Sequence, residues 1–462
     1  MTKKKEILII GAGPSGLSAA LELAKTGHKI ILIEKAKCPG GLMRNINHGD
    51  FNVDLGRKEL YTRIQKVNDF WEELLHDDYI KYEHRVGILY KNKILESSIL
   101  YKGRLKGLSL IQFLKCLISF VKEKISNRKV SNYRDFAYKN SGVLFTEIFT
   151  KGFHEKFVGR LWKDLPIPDK TAREIDNRST VSLFQYFFLK KFETKASRIE
   201  WRHPKYGAGQ ITNLIIEKLN NLNVNVHYES NLSGVKIIDN SISLVTIELK
   251  GVKKELKPDY VISSIPPEFS GNIFLNLDYA KTQVKTSMNR GAILVYLFLD
   301  ESSKFNHCWV NVSDQNSKIG RIVNYSNFGG GMVPKFKTCL CLEYFLFNKD
   351  PLFDLPKQEL LEMALTELTK AHLINRENLQ YHMIFKLPNT NPAVDWKDYL
   401  NEPHKVELYK KLKEIKNLYN VNRAGTDRAT HAGLEAAAAI KFGSKELFEK
   451  YTDPRQKEPW NH

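Results

Sequence analysis

The chain predicts an α/β fold: a doubly wound dinucleotide-binding domain with an inserted mixed α+β domain. Three observations carry this reading. Between Lys4 and Arg44 the order is apolar strand, glycines, Ala-rich helix, second strand and acid. Strand and helix patterns of the same kind resume after residue 200 and again after residue 417. The 462 residues, 42% of them hydrophobic, can bury a sizeable core and are too many for one simple layer.

The apolar run 7–10 reads as a buried strand, and Gly11, Gly13 and Gly16 supply G-x-G-x-x-G where it turns into a helix over 14–25. Gly11 permits the tight turn, Gly13 lets the backbone approach a phosphate, and Gly16 lets the helix pack on the sheet. Pro14 and Ser15 begin that helix, whose N-terminus offers N–H groups and a positive dipole end to an anion. A second strand over 29–33 ends at Glu34 and Lys35. Glu34 lies about 20 residues beyond the glycines, where a carboxylate accepts the ribose hydroxyls. Gly40, Gly41, Leu42 and Arg44 follow, and then Phe51-Asn-Val-Asp-Leu-Gly56.

Residues 51–199 read as helix-rich, with periodic apolar positions over 67–75 and 108–125. Lys205-Tyr-Gly-Ala-Gly-Gln210 leads into a helix over 211–220, strands over 224–228, 235–238 and 243–249, and a buried strand over 259–264 stopped by Pro266-Pro267. Strands over 292–299 and 338–345 suit a sheet under a substrate. A short strand at 417–419 and an Ala-rich helix over 429–440 return to the first fold. The predicted division is therefore 1–50, 200–266 and 417–445 for the dinucleotide domain, 51–199 and 267–416 for the substrate domain, and 446–462 as a tail.

Five scattered cysteines fit reduced thiols, and Cys339 and Cys341 are expected to pack on one strand face. No metal-ligand spacing and no nucleic-acid motif is evident, so neither a metal nor nucleic acid is expected. No targeting signal is read, and the longest apolar stretch falls short of the ~20 residues that a bilayer crossing needs. A cytoplasmic location is expected, with membrane association as the alternative. The formal charge of +19 attracts anions and anionic surfaces, although lysine-biased coding would also produce it. The basic apolar stretch 101–129 is expected to be a core helix with solvated lysine ends, and the competing reading is peripheral contact with a membrane.

The sequence G-G-x-x-R followed by F-x-x-D-x-G, ending at Arg44 and Gly56, resembles the amine oxidase and protoporphyrinogen oxidase clan of flavoproteins. The resemblance implies FAD as cofactor and a glutathione reductase-type arrangement of its domain. Further along, 51–62, 86–95 and Gly320-Arg-Ile-Val-Asn-Tyr-Ser-Asn-Phe328 are similar to segments of the UDP-galactopyranose mutase-like branch. So is Arg423-Ala-Gly-Thr426. The chain departs from that branch at Arg57, Lys58 and Leu60, and again at Asn422 and Asp427.

The resemblance implies that the flavin carries the chemistry, and no protein nucleophile or acid–base pair stands out. Cofactor contacts are expected from Gly11, Gly13, Pro14, Ser15, Gly16, Glu34, Lys35, Gly40, Gly41, Leu42, Arg44 and Gly56, and from Arg423, Thr430, His431 and Ala432. Arg178, Arg290 and Arg321, with Tyr325, are expected to hold an anionic small-molecule substrate. For Trp162 and Tyr61, ring packing is favoured over stacking on a ligand. The activity expected is oxidation of a nucleotide-activated or phosphorylated sugar in cell-surface polysaccharide synthesis, with hydride transfer to flavin N5. Alternatives are a redox-neutral flavin mutase, a membrane-surface oxidase or desaturase of a lipophilic substrate, and a non-catalytic flavoprotein. NAD(P)H is the candidate external reductant.

Overall fold

A five-stranded parallel sheet holds the order Val226–His227, Lys29–Ile33, Glu6–Ile10, Tyr260–Ser263 and Leu418–Asn420. The computed structural model describes residues 4–82, 85–96, 100–101, 104–105, 108–167, 202–266, 270, 273–275, 290–391 and 403–452. Parallel neighbours require crossovers, and the helix Pro14–Ala24 supplies the first. The central strand is covered on both faces. Ile7 and Ile9 pack with the helices Pro14–Ala24, Gly209–Asn221 and Thr426–Phe442. Leu8 and Ile10 pack under an antiparallel sheet made of Ser230–Ile238, Ser241–Leu249 and Val252–Leu256. Double burial explains why that strand reads as an unbroken apolar run.

The topology sets the site. From Glu6–Ile10 the chain goes first to Lys29–Ile33 on one side, while Tyr260–Ser263 lies on the other, so the strand order switches at the end of the central strand. Open parallel sheets bind ligands at such a point, outside the carboxyl ends of the strands.

A seven-stranded sheet forms the second layer, in the order Leu379–Asn391, Arg290–Leu299, Thr338–Phe347, Arg321–Asn324, Trp309–Val312, Val86–Tyr90 and Lys93–Glu96. Its pairs are antiparallel apart from Trp309–Val312 beside Val86–Tyr90. Alternation divides its faces. Ile293, Val295 and Leu297 pack against the helix Lys357–Lys370. Leu294, Tyr296 and Phe298, with Cys339 and Cys341, face Phe51, Val53 and Leu55, which continue from the dinucleotide loop. Burial raises both thiols well above their ordinary range, as the packing reading requires.

Two differences from the sequence reading stand out. The helix Gln65–Leu75 packs Val67, Phe70, Trp71 and Leu74 into the dinucleotide-side core, although residues 51–199 were expected on the substrate side. The helix Leu110–Ile125 forms where expected but is not a core helix. Cys116 and Phe120 are buried, while Leu110, Ile111, Leu114, Ile118, Val121 and Ile125 are exposed. Among the described residues no helix is long and apolar enough to cross a membrane.

Candidate functional site

At the switch point the backbone makes an open cradle. Gly11 has φ +99° and donates its N–H to Ile33 O at 2.8 Å, tying the loop to the neighbouring strand. Only glycine adopts that φ without strain. A Cβ on Gly16 would stand 1.9 Å from Gly11 O, so the helix Pro14–Ala24 begins in direct contact with the loop it leaves. A Cβ on Gly13, by contrast, would meet nothing within 4 Å. The helix has Pro14 in its first turn, no side-chain cap and no acid there, so no carboxylate competes for its N-terminal dipole.

The loop 40–42 closes the other wall. Gly40 donates to Ala12 O at 2.7 Å, and a Cβ on Gly41 would lie 3.5 Å from Gly13 Cα. Glu34, just past its strand, accepts from Ala12 N at 2.7 Å through Oε2 and from Ala36 N at 2.8 Å through Oε1. Both carboxylate oxygens are thereby oriented, each with acceptor capacity left for a ribose hydroxyl. An open face at Gly13, an uncapped helix N-terminus and an oriented acid fit a dinucleotide. Lys35 and Leu42 are exposed at the rim, and Arg44 is half-buried with Nη1 3.5 Å from Gly41 O.

The C-terminal helix Thr426–Phe442 packs directly on the first. A Cβ on Gly433 would come within 2.1 Å of Ser15 O, and Ser18 Oγ donates to Thr430 O at 3.1 Å. Thr430 and Ala432 are buried in this contact. His431 lies 3.3 Å from Glu435, which also accepts from Lys66 at 2.7 Å. Arg423 Nη1 donates to the carbonyls of Asn420 and Asn422, bracing the turn that leads to the helix. The departures at this turn are also engaged. Asn422 Nδ2 donates to Ser264 O at 2.9 Å, and Asp427 accepts from Thr62 Oγ1 at 3.1 Å.

Asp54, in the F-x-x-D-x-G segment, has a role that residue spacing alone did not give. It is fully buried, accepts from Ala208 N at 2.6 Å and lies 3.0 Å from His203 Nε2, while Asn45 Oδ1 accepts from Gly209 N at 2.7 Å. Two side chains from the hairpin Asn45–His48 and Phe51–Asp54 thus cap the helix Gly209–Asn221 from outside. The Asp54→Ala variant is expected to lose about 2 kcal/mol of stability in urea unfolding, while Asp54→Asn, which keeps an acceptor oxygen, loses less than half of that.

Beyond Asp54 the backbone is clamped to the floor sheet. Tyr296 Oη lies 2.6 Å from Gly56 N and 2.7 Å from Asp54 O, so it accepts from the first and donates to the second. Glu343 accepts from Arg57 N at 2.6 Å through Oε1 and from Arg321 Nη1 at 2.9 Å through Oε2. Lys58, donating to Leu55 O at 2.7 Å, is pushed below its ordinary range by burial. These positions bring the floor sheet to within one residue of Gly56.

The predicted substrate residues separate here. Tyr325 is a correction: its hydroxyl is buried 2.9 Å from the carbonyls of both Asp54 and Gly56, so it braces the loop and presents nothing to a ligand. Arg321 is a second correction. It is buried opposite Glu343 between the rings of Phe153 and Phe345, and burial lowers its pKa to about 10. Arg178 lies outside the described residues. Trp162 is buried against Tyr133 and donates from its indole to His154 Nδ1 at 2.6 Å, and Tyr61 accepts from Arg63.

Arg290, among the predicted arginines, lines a cavity. That cavity, of about 610 Å³, is bounded by the segment around the helix Gly152–Val158 and by Phe345 and Phe347 of the floor. Lys151, Arg160, Lys163 and Lys318 also line it. Arg290 is buried, donates to the carbonyls of Lys156 and Phe157, stacks at 4.6 Å over Phe347, and leaves Nε without a hydrogen bond. Among the described residues no carboxylate hydrogen-bonds to it, although Asp350, on the same cavity wall with Glu155, favours its charge through space. Burial lowers its pKa to about 10. Arg290, Phe345, Phe347 and Glu343 occupy the same sheet face as Tyr296, the face that clamps Gly56.

Comparison with known proteins places this geometry. Residues 9–74 match the NAD(P)-binding Rossmann-like domain. A reduced UDP-galactopyranose mutase superimposes with a TM-score of 0.72 over 96% of this chain and 97% of its own, at 18% identity. A protein named as a protoporphyrinogen oxidase, from Exiguobacterium sp. 255-15, gives 0.71 over 96% and 100%, at 13% identity. A stretch of 99 residues is 32% identical to glutamate synthase [NADH] of Schizosaccharomyces pombe, covering 21% of this chain and 4% of that enzyme. The chain thus spans only a small part of that curated relative's length. A dinucleotide-binding domain is present, and the chain shares the fold of these two solved structures over 96% of its length.

Proposed function

We propose that this chain, which has the fold of the amine oxidase-like flavoproteins, is an FAD-dependent oxidoreductase of a nucleotide-activated or phosphorylated sugar. The observation that carries the substrate class is Arg290, a buried cation in a mainly basic cavity, hydrogen-bonded to no carboxylate and offset only through space by Asp350. A buried charge that is only partly compensated is unfavourable, and a phosphate oxygen of the substrate would supply a direct hydrogen-bonding partner.

Gly13, Gly41 and the first turn of the helix Pro14–Ala24 would hold the FAD pyrophosphate, and Glu34 would hold its ribose. Bound there, FAD supplies a hydride acceptor. The chain's own part is placement. Tyr296, Tyr325 and Glu343 fix residues 54–57 between the dinucleotide loop and the floor. Arg290 orients the anionic end of the substrate on the same floor. Water is kept from the floor by the apolar packing of Leu294, Phe298 and Val323.

Uridine diphosphate is the probe for the cavity. It should raise the unfolding temperature of the wild-type holoprotein, and Arg290→Gln should weaken its affinity roughly 10- to 100-fold, as expected for losing a charge-assisted contact. Equal protection of both proteins would remove the anionic-substrate reading. The end-to-end match to the mutase supports redox-neutral chemistry as a second reading. Anaerobic bleaching of the bound flavin by NADPH favours that reading, and bleaching by the sugar substrate favours oxidation.

A further inference from the structure

The helix Leu110–Ile125 presents Leu110, Ile111, Leu114, Ile118, Val121 and Ile125 to solvent, each between 46% and 78% exposed. They fall at i, i+1, i+4, i+8, i+11 and i+15, which is one apolar stripe about 100° wide running the length of the helix, about 24 Å. The opposite side, through Cys116, Phe120 and Glu123, is buried in the fold. The helix is therefore anchored with its apolar stripe outward. Ser109 and Gln112 form a complete capping box at its start, so it is preformed.

Charge identifies what the stripe faces. At 100° per residue Lys115 and Lys122 border one edge of it and Lys124 the other, and all three are exposed. The helix has one acid, Glu123, which is buried and held by Arg128 at 2.8 and 2.9 Å. The rim is thus purely cationic, on a chain with a formal charge of +19. A second copy docking on the same face would bring the two lysine rows together, whereas an anionic surface neutralises them. We infer that this helix is a membrane-surface anchor, lying in the headgroup plane of an anionic bilayer with its stripe in the acyl boundary.

The test uses the full-length holoprotein in flotation with vesicles of phosphatidylcholine alone or mixed with phosphatidylglycerol. Wild type should float with the anionic vesicles, less so at high salt, and stay behind with the neutral ones. Combined Ile111→Gln, Ile118→Gln and Ile125→Gln should cut partitioning by at least about tenfold. Separately, Lys115→Glu with Lys122→Glu should weaken it more than about tenfold and remove most of the salt dependence. All five positions are exposed, and a thermal unfolding profile checks that the variants fold. Wild type that fails to float, or variants that float like it, would overturn the anchor. So would a wild-type dimer that the glutamine variant turns into a monomer, since a second copy would then be the occupant.

Discussion

Gly13→Asp is expected to yield a folded protein that has lost its dinucleotide. Gly13 has φ −82° and ψ −177°, extended backbone that any residue adopts, and its Cβ direction is empty. Without cofactor the substitution should therefore change stability by less than about 0.5 kcal/mol. With cofactor, the side chain would occupy the space of the pyrophosphate and set a carboxylate against it at the helix N-terminus. Affinity should fall by at least about 100-fold, read as loss of visible absorbance per protein and as loss of cofactor-induced stabilisation. Gly16→Ala provides the contrast. Its Cβ would stand 1.9 Å from Gly11 O, so it should lower the stability of the cofactor-free protein itself, by about 1–3 kcal/mol.

Arg321→Ala is expected to have the larger effect on stability. The change leaves the Glu343 carboxylate buried without its cation, and removing one member of a buried ion pair costs about 3–5 kcal/mol. It also loosens the acceptor that holds Arg57 N, so cofactor retention should drop along with the urea midpoint. Arg321→Met combined with Glu343→Leu should recover part of the stability, because an apolar pair carries no desolvation penalty while Arg57 N still loses its acceptor. A single variant as stable as wild type would show that the pair does not hold the loop.

The dinucleotide half of the molecule was legible because its physics is local. A strand buried on both faces, glycines at a switch point and an acid at the next strand end all lie between Glu6 and Glu34. The strand Lys29–Ile33 has the predicted bounds, and the helix Thr426–Phe442 contains the predicted one. The floor was less legible. Arg321 and Tyr325 sit in a motif-like segment, and a sequence does not show whether such a side chain turns toward a ligand or toward Glu343. One signal was available: Glu343 is a lone acid in Thr338–Phe347, an otherwise apolar strand, and a buried acid implies a buried cation opposite. Asp54 reaches Ala208 across 154 positions, a pairing that only the folded hairpin creates. The helix Leu110–Ile125 misled because a stripe pattern gives the width of an apolar face and not what covers it.

Releasing the bound cofactor from the purified holoprotein by heat and identifying it by mass tests the cradle most directly. Equimolar FAD is the result expected, and its absence from the Gly13→Asp protein would locate it in the loop between Gly11 and Gly16. Recovery of a nicotinamide dinucleotide in place of FAD, or FAD retained in full by Gly13→Asp, would contradict the site.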